Sequence, residues 1–137
     1  MNRRTFKFGE SGKLVRDGIV SDLRAQGGEA RHEILTGTQK TKALLDKLIA
    51  EAEELRDAYI ETGRLSLAET IDVREVVSQI ETEAGFGQQT LEDAQRAKRE
   101  RIGGLAGGWY VHSVSFPSDN PEVATYAADP KKFPEVK

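Results

Sequence analysis

From about Thr38 to Thr62, apolar side chains return every three or four positions, the period of an amphipathic α-helix. Leu44, Leu48, Ala52, Leu55 and Tyr59 gather on one side of that helix. Glu51 falls inside the same arc, and Glu54, one turn later, falls at its border. Glu53 points nearly opposite and reads as an ordinary solvated charge. Gly63 is a stop signal. Ser66 then opens a second helix, which runs to about Ala84 and ends at Gly85. Its apolar side is Leu65, Ala68, Val73, Val76, Val77 and Ile80, with Asp72 inside the arc and Glu69 near its middle. Ser66-x-x-Glu69 has the spacing of a capping box, in which serine and glutamate satisfy each other's free backbone N–H groups.

The remaining pattern is weaker. Residues 1–12 are polar, glycine-punctuated and read as irregular. "KLVRDGIVSDLRAQGG" predicts a short helix from about Leu14 to the stop at Gly27-Gly28, although Gly18 weakens it. Residues 29–35 read as a short extended piece. Thr90 to about Arg101 predicts a third good helix, closed by Gly103-Gly104. "WYVHSVSF", 109–116, alternates as a strand or extended arm does. The tail from Pro117 holds all four prolines and is expected to be mostly irregular. The expected class is all-α: a helical hairpin or bundle with a short extended C-terminal arm. The expected organisation is an irregular segment at 1–12, a domain at 13–108, and an arm and tail at 109–137.

Four carboxylates, Glu51, Glu54, Glu69 and Asp72, thus form two i, i+3 pairs on the facing sides of consecutive helices. Burying an unpaired carboxylate costs several kcal/mol, and several together repel. Two kinds of positive partner relieve this. Lysine or arginine can pair with the acids, Glu69 then serving only as a cap and Glu54 as a boundary residue. Alternatively a divalent cation such as Mg²⁺ gathers them, because a hard ion takes oxygen ligands and accepts several carboxylates together with water and phosphates. A straight antiparallel hairpin would leave the two pairs several ångströms out of level, at about 1.5 Å of rise per residue.

Composition narrows the setting. With 137 residues the chain is long enough for one domain with a core, and 37% hydrophobic against 31% charged residues suits amphipathic helices that bury surface by oligomerising. A net charge of −3 gives no basic field for nucleic acid. The absence of cysteine excludes disulfides and thiolate metal sites and agrees with a reducing cytosol. No apolar run approaches the ~20 residues of a membrane span, and the N-terminal arginines precede no apolar segment of a signal peptide. The expected location is cytoplasmic.

The carboxylate pattern resembles the all-α NTP pyrophosphatases of the MazG superfamily, whose signature is E-E-x-x-E, a spacer, then E-x-x-D. Here it reads "AEAEE" at 50–54, fourteen residues, then "ETID" at 69–72. The opening "KLVRDGI" at 13–19 is similar to the "KLVRDKIP" of a house-cleaning, phosphoribosyl-ATP-pyrophosphohydrolase-like branch of that superfamily. "KRERIGG" at 98–104 looks like its "KR-x-E-R-G-G-F" ending, with Ile102 inserted and Leu105 in the phenylalanine's place. The three blocks come in the same order over roughly residues 13–108.

The resemblance implies that Glu51, Glu54, Glu69 and Asp72 are the metal ligands and catalytic set, holding Mg²⁺ or Mn²⁺. It implies hydrolysis of a nucleoside triphosphate to the monophosphate and pyrophosphate. Ala50 stands where the family has the first glutamate, which touches a water-positioning role. Lys13, Arg16, Lys98 and Arg101 are the candidates for binding phosphates; Lys98 and Arg101 equally suit ordinary helix C-terminal cations. Trp109 and Tyr110 could stack on a base, but an aromatic pair after a glycine-rich bend is more often core or interface. His32 and His112 are isolated and read as surface or structural. A homodimer or homotetramer acting on a nucleotide is the expected assembly. The rival is a helical dimer that keeps the scaffold without turnover and senses a nucleotide or binds a protein, for which Ala50 speaks.

Overall fold

A computed structural model describes residues 2–137. It is all-α, with five helices and no strand among the described residues. They are α1 (Ile19–Ala25), α2 (Gly37–Thr62), α3 (Leu67–Ala84), α4 (Gln88–Ile102) and α5 (Glu122–Ala127). Two compact units divide the chain, Met1–Gln95 and Arg96–Lys137.

In the first unit, α2 and α3 are the two helices that pack on each other. Both have the boundaries their periodicity predicts, to within a residue. Gly63 and Gly85 end them at φ of 71° and 73°, a left-handed conformation glycine adopts without a Cβ penalty. Ser66 Oγ accepts the Glu69 N–H at 3.1 Å, so half of the expected capping box is made. The Glu69 carboxylate does not return the bond. Its Oε2 is buried and has no hydrogen-bond partner.

The buried stripe differs from a simple 100° projection. On α2 the buried and half-buried positions are Lys40, Ala43, Leu44, Lys47, Leu48, Ala50, Glu51, Leu55 and Ala58, while Ala52 and Tyr59 face outward. On α3 they include Glu69, Asp72, Val73, Val76 and Ile80, with Ala68, Leu65 and Val77 exposed. Spacings of four and three along both helices are those of a seam between nearly antiparallel helices, which follows 3.5 rather than 3.6 residues per turn. Ala52 and Tyr59, at one edge of the apolar arc read in the sequence, lie off the seam. Glu51 lies on it, as that arc has it, and Ala58, outside the arc, lies on it too.

The register of that seam shows at two places. Lys40 Nζ pairs with Glu83 Oε1, and Glu51 lies beside Asp72. Eleven residues along α2 (51 − 40) match eleven back along α3 (83 − 72). By the same register, Leu67 at the start of α3 lies level with Arg56, so residues 57–62 of α2 overhang. The 63–66 turn runs back to begin α3. The overhang removes the offset expected of a straight hairpin with a tight turn.

Elsewhere expectation and structure part. The helix expected from Leu14 begins only at Ile19, with Gly18 as its N-cap and Arg16 O closing the entering turn on the Ile19 N–H at 3.1 Å. The Arg16 side chain is drawn instead to α3. Residues 29–35 and 109–116 are without helix, as expected, but neither pairs as a strand. The tail is more ordered than its prolines suggest. Asn120 Oδ1 accepts the Glu122 N–H at 2.9 Å and starts α5, where Pro121 as N-cap has no N–H to lose. Tyr126 of α5 lies between Phe116 and Phe133, ring centroids 5.3 and 4.6 Å away, a small aromatic core for the second unit.

Only Leu44 and Val76, at 4% and 5% exposure, are buried apolar residues among those described. Leu44→Ala should therefore lower unfolding stability by about 2–5 kcal/mol, read as a shift in the urea midpoint with an unchanged slope.

Candidate metal centre

Glu51 is the deepest charged residue described, at 7% exposure, in the middle of α2 where the seam demands a core residue. One of its oxygens, Oε1, takes the Lys47 ammonium at 2.9 Å, a turn earlier on the same helix. The other, Oε2, is buried with no hydrogen-bond partner. An orphaned carboxylate oxygen in such a place costs more than one hydrogen bond returns. Across the seam, Glu69 Oε2 is in the same condition.

Glu51, Glu69 and Asp72 each bring a carboxylate oxygen to within 4.8 Å of the others. Oxygens bound to one Mg²⁺ at about 2.1 Å lie at most about 4.2 Å apart, and a larger cation allows more. Small side-chain movements therefore bring all three onto one ion. Two of the three residues, Glu51 and Glu69, also carry a buried oxygen without a hydrogen-bond partner, which a cation could satisfy. These three acids could hold a metal ion.

Asp72 is half-buried and carries a second cation. Arg16 donates to its Oδ1 at 2.9 Å and reaches Glu75 at 4.0 Å. The guanidinium thus joins the segment before α1 to α3, 56 positions away in sequence.

Glu54 is exposed and stands outside the group of three. It still feels the site. Partial desolvation, followed by the negative charges of Glu51 and Glu69, pushes its pKa above the ordinary glutamate value, with Lys13 opposing. It lies one turn beyond Glu51, close enough to interact with that carboxylate and with Glu69.

Of the four cations singled out in sequence, Arg16 touches the cluster and Lys13 acts on Glu54 from nearby. Lys98 and Arg101 are exposed on the last turns of α4, in the second unit. Trp109 and Tyr110 are exposed there too; Tyr110 packs edge-on against His112 with centroids 5.3 Å apart. His32 bonds through Nδ1 to the Ala30 carbonyl at 3.1 Å. Sequence reasoning did not single out Lys47. Its signal was present, since a lysine four residues before a seam glutamate lies on the same stripe.

Glu54→Gln should raise the melting temperature of the metal-free protein near neutral pH. The wild-type charge opposes folding above the raised folded-state pKa, and the penalty is relieved as pH falls through it toward the unfolded value. The advantage of the variant should accordingly shrink on acidification, as thermal melts at several pH values would show.

Protein-family models, curated proteins and solved structures give no match to this chain.

Proposed function

We propose that the chain is a Mg²⁺- or Mn²⁺-dependent nucleotide pyrophosphohydrolase of MazG-like type, cleaving a nucleoside triphosphate to the monophosphate and pyrophosphate in nucleotide-pool house-cleaning. The observation that carries this reading is the pair of orphaned oxygens on Glu51 and Glu69 inside a three-acid cluster. It joins the order of the three sequence blocks that resemble the superfamily.

Glu51, Glu69 and Asp72 would hold the metal, which when bound supplies charge neutralisation for phosphate oxygens and a more acidic water. Glu54, beside them and with a raised pKa, is the acid best placed to take a proton without being needed as a ligand. Arg16, already on Asp72, would orient that carboxylate or turn to a phosphate oxygen. Lys13 lies on the same side. The seam supplies rigidity, since each ligand stands on a helix rather than a loop.

The same reading has two or more copies assembling through the hairpin. Leu45, Ile49, Ile60, Leu67 and Ile71, on the two packed helices, are all about half exposed or more. One contiguous partner surface would cover apolar area that one copy leaves bare. The second reading, a binding module without turnover, has an observation in its favour: Lys47 and Arg16 already neutralise two of the three acids. Ala50 agrees with it.

Three measurements check the proposal. Millimolar Mg²⁺ or Mn²⁺ should raise the melting temperature, and Asp72→Asn should abolish that rise. A phosphate-release screen over nucleotides, with inorganic pyrophosphatase added, should show metal-dependent turnover that Glu51→Gln lowers by about two orders of magnitude or more. A metal-induced shift without turnover on any nucleotide would favour the binding module. Sedimentation should give a mass of at least twice 15.1 kDa at micromolar concentration.

A further inference from the structure

A cleft of about 850 Å³ lies against the first half of α2, between the 9–14 loop and the 31–35 segment. That is the size of a nucleotide-scale ligand site. Its wall includes Lys13, Arg31, His32, Lys42, Lys47 and Ala50. Three acids, Glu10, Glu33 and Asp46, also line it, so it is mixed in charge with lysines of α2 on the inner side.

The cleft and the acidic cluster share a wall. Ala50 precedes Glu51 in α2, and Lys47, whose Nζ is 2.9 Å from Glu51 Oε1, lines the cleft. Lys42 and Arg31 make no ion pair among the described residues. Lys13 crosses the floor of its loop over Gly9. A Cβ there would come 3.2 Å from Lys13 Cε, and Gly9 has φ 66°, so a side chain at that position is disfavoured twice. The small side chain of Ala50 leaves the wall beside Glu51 without a further negative charge.

We propose that this cleft receives the polyphosphate tail of the nucleotide, and that Lys47 passes from Glu51 Oε1 to a phosphate oxygen when a cation binds the carboxylate through its free Oε2. The inference rests on the metal-dependent reading above and adds the site of the substrate's anionic part. Without metal, Lys47 is the counterion that lets Glu51 stand in the seam. A divalent cation at the free Oε2 puts a second, larger positive charge on the same carboxylate. Two cations on one carboxylate repel, so the ammonium is driven from Oε1 toward the cleft, where a phosphate is its natural partner. The protein thereby exchanges one compensated arrangement for another. Lys42, one turn and a half earlier on α2, extends the cationic wall outward, and Lys13 faces it from the loop.

The test is binding rather than activity, on the full chain. Mn²⁺ alone is titrated calorimetrically into wild type, Lys47→Met and Lys42→Met. A nucleoside triphosphate with a non-hydrolysable α,β-bridge, and inorganic tripolyphosphate, are then titrated into each in saturating Mn²⁺. Lys47→Met should bind Mn²⁺ alone about two- to fivefold more tightly, since a repelling charge is gone. It should bind both phosphate probes about tenfold or more weakly, since a charge-assisted hydrogen bond is lost. Lys42→Met should leave Mn²⁺ binding unchanged and weaken the phosphate probes.

Opposite signs for metal and phosphate in one variant are not produced by general loosening of the fold. A Lys47→Met chain that weakens both equally, or leaves the phosphate probes unaffected, would overturn the exchange. If Lys47→Met does not fold, Lys42→Met and Lys13→Met decide, and normal phosphate binding in both would overturn the cleft assignment. Wild type that binds no Mn²⁺ would bring down the metal reading itself, and with it the exchange. Mn²⁺ binding without phosphate binding would leave the metal centre standing and remove the cleft.

Discussion

A carboxylate at a core position governs this hairpin. Glu51 sits where the α2–α3 seam calls for an apolar side chain, and its cost must be met by whatever lies around it. Lys47 meets half of it through one oxygen. The apolar packing around Glu51 is thin, because Leu44 and Val76 are the buried apolar residues among those described. The stability of the seam is therefore tied to electrostatic compensation more closely than in a hairpin zipped by leucines. A bound cation would act on the fold and on the chemistry through the same atoms.

The two helices contribute unequally. Glu69 stands in the first turn of α3, where the free N–H groups and the helix dipole favour negative charge, and its own N–H is capped by Ser66. Asp72 has the Arg16 guanidinium. Glu51 is in mid-helix, far from either terminus, and relies on Lys47. At the far end of the seam Lys40 holds Glu83, whose carboxyl is kept below the ordinary glutamate pKa by that contact first of all. The seam thus has an ion pair at one end and a cluster of like charges toward the other, and the cluster is where opposing forces are concentrated.

Much of this arrangement was legible in the sequence. Glycine stops, a serine cap and strong periodicity marked α2 and α3, and carboxylates interrupting apolar arcs marked Glu51, Glu69 and Asp72. The details that were not legible depend on how two helices meet. Projection on a single helix assigned Ala52 and Tyr59 to the interior, because 3.6-residue geometry takes no account of a partner. Glu54, read at the border of the arc, is exposed, one turn along the seam from the buried Glu51. Arg16 looked helical because nothing local reports an attraction to Asp72, 56 residues away. The tail looked irregular because prolines hide a start signal such as Asn120 before Glu122.

The overhang of α2 past the start of α3 bears on which changes of length the chain can tolerate. Within the seam, Lys40 with Glu83 ties α2 to α3, and the closeness of Glu51 to Asp72 marks the same register. One residue inserted between Lys40 and Glu51 would rotate the glutamate by about 100° and carry it out of the seam. The same residue inserted among 63–66 would lengthen a return that already runs back past six overhanging positions, and closing a slightly longer loop costs little. Lineages of such a hairpin can therefore drift in the distance between the two acidic motifs while the spacing inside each motif stays still.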